Sequence, residues 1–249
     1  MRVVVTGGGT IAPIDDVRHI ANASTGRFSA AITEAWLERG ATVRHIHAPK
    51  AELPIRRRLD AIDLGTNPAE LHRSLDEVAL RWRVHRDRLR LVPLDRGDVD
   101  DYATTLMRTL LDPVDRADVV LLAMAVSDYE PEPSPGKIGS DAEELVIRCR
   151  RAPKVIRSVR DWAPDAYLVG FKLLSGATES ELVRAAEEAN LANRADLTVA
   201  NDLRHYRAGR HTIHLVRPGH SVETLREEDG DLAPRLVDRI FSWAGLPKE

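Results

Sequence analysis

Cysteine is almost absent from this chain: there is one, Cys149, in 249 residues. A single thiol excludes an intrachain disulfide framework and fits a reducing, cytoplasmic setting. Aromatic residues are scarce at 4%. No apolar run approaches the roughly 18 residues that cross a bilayer, so no membrane partner is expected. The formal net charge of −3 gives no global attraction to nucleic acid or to an anionic surface, so any phosphate must be held by local groups. The nine histidines are scattered, and no His or carboxylate cluster has the spacing of a metal cage. Repeats, low-complexity tracts and linkers are missing too. The opening "MRVVVTGGG" reads as a strand and loop, so no signal peptide is expected. What remains is 43% hydrophobic and 30% charged, a globular composition, and residues 1–249 read as one domain.

The strand and helix signals alternate. Val3 to Val5 form a β-branched run, as in a buried parallel strand. Phe28 to Glu38 place Ile32, Ala35 and Trp36 at helical spacing, and "TVRHIHAP" follows as a second strand. Lys50 to Asp63 read as a polar loop with the basic run Arg56 to Arg58. Asn67 or Pro68 starts a helix with Leu71, Leu75, Val78 and Trp82 on one face. Leu89–Leu94 reads as a strand and Asp98–Leu111 as a helix. Val119 to Met124, in "ADVVLLAMAVSDY", is the strongest buried-strand signal. The segment from Glu130 to Gly136 reads as a loop, "ELVIRCR" as a strand with Cys149 packed inward, and Pro153 as a first helical position. "AYLVGFKLL" and "ADLTVAND" are further strands, separated by a helix with a Thr178/Glu181 capping box. "HTIHLVR" and "SVETLR" resemble a hairpin, and Leu232 to Trp243 a closing amphipathic helix. The expectation is an α/β, Rossmann-like, mainly parallel sheet flanked by helices, with an extra β-hairpin.

The glycines Gly7 to Gly9 follow the first strand, where exposed N–H groups bind phosphate in many α/β proteins. On their own they only require a turn. A dinucleotide fingerprint is opposed by Pro13 and by a second strand ending in "RHIHAP", with no acid for a ribose hydroxyl. None of the four tyrosines has a lysine four residues on, as a short-chain dehydrogenase needs. No Gly-Lys-Ser/Thr follows, which excludes a P-loop, and "TGGGTIA" lacks the later segment that completes an asparaginase site. The stretch "RHIANASTGR" carries more information. Asn22 is an amide among small residues, and Ser24, Thr25 and Gly26 stand before a helix. Arg18 and Arg27 bracket them with no acid between, so the group is a candidate anion site.

With these residues the chain resembles the phosphopantothenate–cysteine ligases, of the free-standing type. "VTGGGT", "PIDDVRHIANASTGR", "AMAVSDYEP" followed by "KI", "RRAPKVI", "LVGFKLL" and "ADLTVAND" are similar to the family's segments and stand in the family's order. The resemblance implies a two-step synthesis in coenzyme A biosynthesis. The carboxylate of 4'-phosphopantothenate attacks the α-phosphate of CTP or ATP and expels pyrophosphate; the cysteine amine then displaces the nucleoside monophosphate. It further implies that Asn22 holds the acyl-nucleotide, that Arg18 serves its turnover, and that Lys137 closes over the site on a mobile loop. Gly8, Gly9, Ser24, Thr25 and Gly26 are expected at the phosphates. Phe171 is expected at the base or ribose, and Ala125, Val126, Asp128 and Asn201 along the nucleotide or pantetheine. Family lysines before "AND" are missing from "AAEEANLANRAD", leaving Arg194 or Arg184 as the cations there. Magnesium is expected on the triphosphate. A homodimer is implied, with residues 203–226 as the contact and residues 50–88 as a decorating insertion. The rival readings are a nicotinamide-dependent oxidoreductase and a nucleotide-binding module that has lost turnover.

Overall fold

Val3 and Val5 enter one apolar cluster and Val4 enters another. A strand sandwiched in this way has no solvent face, which is why its sequence is an unbroken β-branched run rather than an alternating one. A computed structural model describes residues 1–245.

From this strand, β1 (Arg2–Gly7), the chain passes through a small antiparallel ribbon, β2 (Ile11–Pro13) with β3 (His19–Ala21). Then come α1 (Arg27–Glu38), β4 (Thr42–His47), α2 (Pro68–His85), β5 (Leu89–Pro93), α3 (Val99–Leu110) and β6 (Val119–Leu122). A second ribbon joins β7 (Tyr129–Pro131) to β8 (Cys149–Arg151). The rest is α4 (Val159–Trp162), β9 (Tyr167–Leu174), α5 (Glu179–Asn193), β10 (Leu197–Asp202), α6 (Leu203–Arg207), β11 (Thr212–Val216), β12 (Glu223–Arg226) and α7 (Leu232–Trp243).

The main sheet has eight strands in the order β12-β11-β10-β9-β6-β1-β4-β5. The six from β10 to β5 are parallel, and counted along the chain they run 3-2-1-4-5-6, the Rossmann order. The order reverses between β1 and β6. There the two following loops diverge and leave a crevice at the strands' carboxyl ends. α1 and α7 cover one face with Ile32, Trp36, Leu236 and Ile240; α3 and α4 cover the other with Leu106 and Val159. Helix starts follow local chemistry: Asn67 caps α2, Asp98 caps α3, and Thr178 with Glu181 closes the capping box of α5.

Several expected elements differ. The long stretch after the glycines is a ribbon, β2–β3, rather than an open loop. Only Cys149 and Arg150 of "ELVIRCR" are strand, and Leu145, Val146 and Ile147 are exposed. Cys149 is exposed as well, because the β7–β8 ribbon stands off the sheet and offers it no core. Tyr129–Pro131 pairs with that ribbon, so the loop begins after Pro131 rather than at Glu130. Pro153 does not start a helix; a 3-10 turn over Val155–Ser158 leads into α4. The Leu75/Trp82 face of α2 forms at its predicted place but stays 42% and 38% exposed, with only His85 of that helix buried.

Candidate active site

The glycine loop lies at the switch point, stitched to the end of β6. The Thr10 amide donates to Ala125 O at 3.0 Å and the Ala125 amide to Gly8 O at 2.9 Å, so Gly9 and Ala125 pair as an isolated bridge. Thr6 Oγ1 accepts from the Met124 amide at 3.2 Å, and Thr10 Oγ1 from the Ser127 amide at 3.0 Å. Ala125 and Val126 are thereby fixed beside the loop, both half-buried.

The glycines are required by packing. Gly8 has φ +90°, and a Cβ there would sit 2.8 Å from both Ala48 Cβ and Ala51 Cβ. Gly26, the N-cap of α1, has φ +79°, and its Cβ would come within 3.1 Å of Ala51 Cβ and the Gly8 amide. The loop and the first turn of α1 therefore pack closely at the crevice, where a helix start has amides without intrahelical partners. Ser24 is not the cap: its amide donates to Asn22 O at 2.8 Å, while Thr25 Oγ1 accepts from the Arg27 amide at 3.2 Å. Below Gly7, His45 is buried with its pKa pushed down to about 3 by burial, then by His47, so it contributes no cation. We expect Gly8→Ala to lower stability by about 1–3 kcal/mol, from the left-handed backbone and the two close contacts. Thermal melting checks this; an unchanged midpoint would contradict it.

Asn22 follows β3, and its Nδ2 donates to Ala125 O at 3.0 Å, which carries the side chain across to the β6 end. Arg18 and the Lys137 loop are joined through Asp15, which sequence reasoning did not single out. Asp15 Oδ1 accepts the Val17 and Arg18 amides at 2.9 and 2.7 Å, and Oδ2 accepts the Ile138 amide at 3.1 Å. Arg18 reaches Asp15 Oδ2 at 3.4 Å and donates to Ile138 O at 2.5 Å. The Asp16 amide donates to Gly136 O at 3.1 Å. Both neighbours of Lys137 are thus clasped to the β2–β3 turn, while Lys137 itself is exposed. Burial works to raise the Asp15 pKa, but the Val17, Ile138 and Arg18 amides and the Arg18 charge outweigh it and hold the carboxyl below its ordinary value of 3.8. The "PIDD" turn was the signal available: an aspartate two residues before an amide forms an Asx turn.

Phe171, half-buried on β9, meets Phe28 of α1 edge-on at 6.4 Å; Phe28 meets His211 at 5.1 Å, and His211 meets Tyr206 at 4.8 Å. Burial lowers the His211 pKa against the pull of Glu227, so this aromatic wall is uncharged at neutral pH. Asn201 lies at the carboxyl end of β10. The next residue, Asp202, accepts the Ala177, Arg204 and His205 amides and so ties the loops after β9 and β10 together.

Asp128 and Arg194, both expected at the site, carry ion pairs. Asp128 is exposed and forms an ion pair with Lys154. Arg194 ends α5 at the amino edge of β10, where it pairs with Asp161 at 2.9 Å and bonds Arg157 O at 3.1 Å. The length of β10, about 20 Å, separates it from Asn201, so it does not join the crevice. Helix α5 runs back along the sheet from the crevice edge, and the exposed Arg184 lies in its second turn.

A 3-2-1-4-5-6 sheet with a glycine turn packed on a helix start at its switch point defines a Rossmann-like α/β protein. Within that class, the chain belongs to the family described as DNA/pantothenate metabolism flavoprotein C-terminal domain, whose profile matches residues 1–79 and 96–243. Phosphopantothenate–cysteine ligase 2 of Oryza sativa subsp. japonica is 30% identical over 96% of this chain and 78% of its own length. The coenzyme A biosynthesis bifunctional protein CoaBC of Thermococcus kodakarensis is 29% identical over 96% of this chain, and the chain spans 50% of that protein's length. Among solved structures, the DNA/pantothenate metabolism flavoprotein of Streptococcus pneumoniae shares 28% identity, a TM-score of 0.75, and coverage of 98% of this chain and 99% of its own. A Cab2 variant in complex with phosphopantothenate-cysteine has a TM-score of 0.81 at 24% identity over 98% of this chain and 86% of its own, a likeness of fold.

Proposed function

We propose that the chain, acting as one ligase unit, is a phosphopantothenate–cysteine ligase of coenzyme A biosynthesis. The observation that carries this reading is the clasp: Asp15 and Arg18 hold Ile138 and the Asp16 amide holds Gly136, which fixes the backbone on both sides of Lys137 beside the turn that leads to Asn22. The ligase names of the plant relative and of the human protein, 29% identical over 69% of this chain, agree with it.

The chemistry follows from the charges. In the first step a carboxylate oxygen attacks the α-phosphorus of CTP or ATP, and pyrophosphate leaves with the electron pair of the broken P–O bond. Two anions must approach each other, so the amides of Gly8, Gly9 and Gly26, the hydroxyls of Ser24 and Thr25, and the Lys137 ammonium serve as counter-groups. In the second step the cysteine nitrogen attacks the acyl carbon, a C–N bond forms, and the nucleoside monophosphate departs. Asn22 offers an uncharged donor to the oxygen that becomes negative. Phe171 borders the base or ribose, and Ala125, Val126 and Asn201 line the remaining length.

No group of three His, Cys, Asp or Glu able to hold a metal ion occurs among the described residues. These residues do not build a cage; magnesium would enter with the triphosphate and would offset its charge. A cytoplasmic homodimer completes the reading. No helix among the described residues is long and apolar enough to cross a membrane. The residues from Arg204 to Arg210, exposed before the β11–β12 hairpin, offer the contact.

The test is pyrophosphate release with phosphopantothenate, cysteine, magnesium and either CTP or ATP. Release that depends on the acid is the expected result, and its absence with both nucleotides would reject the proposal.

A further inference from the structure

Ile55 is a β-branched residue with φ +65° and ψ −50°, 2% exposed, and the Arg56 amide closes back on Pro54 O at 2.7 Å. This is a γ-turn of the strained hand, which a buried isoleucine keeps only if its surroundings hold it. The holding group is Glu34, two turns into α1 and 7% exposed. Its Oε1 accepts the Ile55 amide at 3.0 Å and Arg57 Nε at 2.8 Å; its Oε2 accepts Arg58 Nε and Nη2 at 2.8 and 2.6 Å.

The segment just before the turn is the back wall of the glycine loop. The Glu52 amide donates to Thr25 O at 2.8 Å, and Glu52 pairs with Arg27 at 3.2 Å. Ala48 and Ala51 fill the space behind Gly8, and Ala51 the space behind Gly26. A closed circuit results: Gly26, α1 to Glu34, across to Ile55, back to Glu52, and across to Thr25. We propose that Glu34 is a positioning residue, which sets the amide cradle of Gly8 and Gly26 through the strained turn at Ile55. It touches no substrate. Its effect on turnover rests on the ligase reading above; its effect on the cradle does not.

The test compares Glu34→Ala with Glu34→Gln in the full chain. Glutamine keeps an oxygen for the Ile55 amide and Arg57, and gives up the charge and the second acceptor that Arg58 uses. Glu34→Ala is expected to raise KM for the nucleoside triphosphate about tenfold with kcat nearly unchanged, because the cradle loosens while the reacting groups remain. Hydrogen exchange of peptides covering Gly8 and Gly26 should accelerate by a similar factor, and Glu34→Gln should recover most of both effects. Arg57→Ala, which leaves the carboxylate on Ile55, should leave KM alone. An unaltered KM and exchange in folded Glu34→Ala, a glutamine variant as impaired as alanine, or a raised KM in Arg57→Ala each overturns the proposal. Exchange reads the brace without turnover. A chain that released no pyrophosphate would therefore refute the ligase reading and leave this test standing. Should Glu34→Ala not fold, the glutamine and arginine variants still decide.

Discussion

Asn22→Asp is expected to slow amide-bond formation by about 10²–10³-fold, the loss typical of a missing oxyanion donor. The amide nitrogen has two hydrogens. One is spent on Ala125 O, which locks the side chain at the β6 end, and the other is free for a ligand oxygen. Aspartate at this place has only acceptors. It would face the Ala125 carbonyl and, in the proposed reaction, a phosphate and a carboxylate besides. Asn22→Ala loses the donor without adding charge and should be the milder of the two. Asn22 is exposed, and its side chain makes this single bond, so neither change should move the melting midpoint by more than a few degrees. Steady-state pyrophosphate release and amide product, measured together, check the prediction. Full activity in both half-reactions would remove Asn22 from the site and leave the fold as described.

Asp15→Ala should impair the reaction nearly as much as Lys137→Ala, about 10²-fold in each case, although Asp15 carries no reacting group. Without the carboxylate the Val17, Arg18 and Ile138 amides lose their acceptor and Arg18 loses its partner. The Lys137 loop then keeps the Ser134–Ile14, Gly136–Asp16 and Arg18–Ile138 tethers to the β2–β3 turn but loses the one that holds the Ile138 amide. Limited proteolysis near Lys137 separates the two variants: cleavage should quicken in Asp15→Ala and stay slow in Lys137→Ala. Equal protection in both would show that the clasp does not order the loop. The clasp also has a pH signature. A carboxyl held below its ordinary 3.8 contributes stability that is complete above that value and is lost as pH falls through the lower, folded value. Loop cleavage should therefore be flat with pH through neutrality and rise only in strong acid.

The parallel strands could be read before any coordinates because burial on both faces leaves a plain mark, as in Val3–Val5 and Val119–Leu122. Their alternation with helices implied a mainly parallel sheet, while the order of its strands came only with the structure. The two ribbons were obscured for the opposite reason. Three-residue strands such as Ile11–Pro13 carry too few residues to show a period, and the exposed "LVI" of residues 145–147 imitates a core strand without having a core. The nearness of Asn22, Ser24 and Gly26 to the glycine loop could be expected from their place between the first strand and the first helix. Arg194 was misjudged because sequence distance to Asn201 is short while a strand converts it into nearly the full height of the sheet. Glu34 was hidden because it acts on the Ile55 amide far along the chain, and amides leave no trace in side-chain patterns; the same holds for the bond of Asp15 to the Ile138 amide, whereas its local Asx turn is marked by "PIDD".

The solitary thiol on the outer ribbon has a practical consequence. Cys149 is exposed, unpaired, and paired in register with Pro131, on the strand that flanks the segment carrying Lys137. A maleimide dye would label the unaltered chain at one known place, and a change in its emission on adding a nucleoside triphosphate would test whether that segment responds to the proposed substrate.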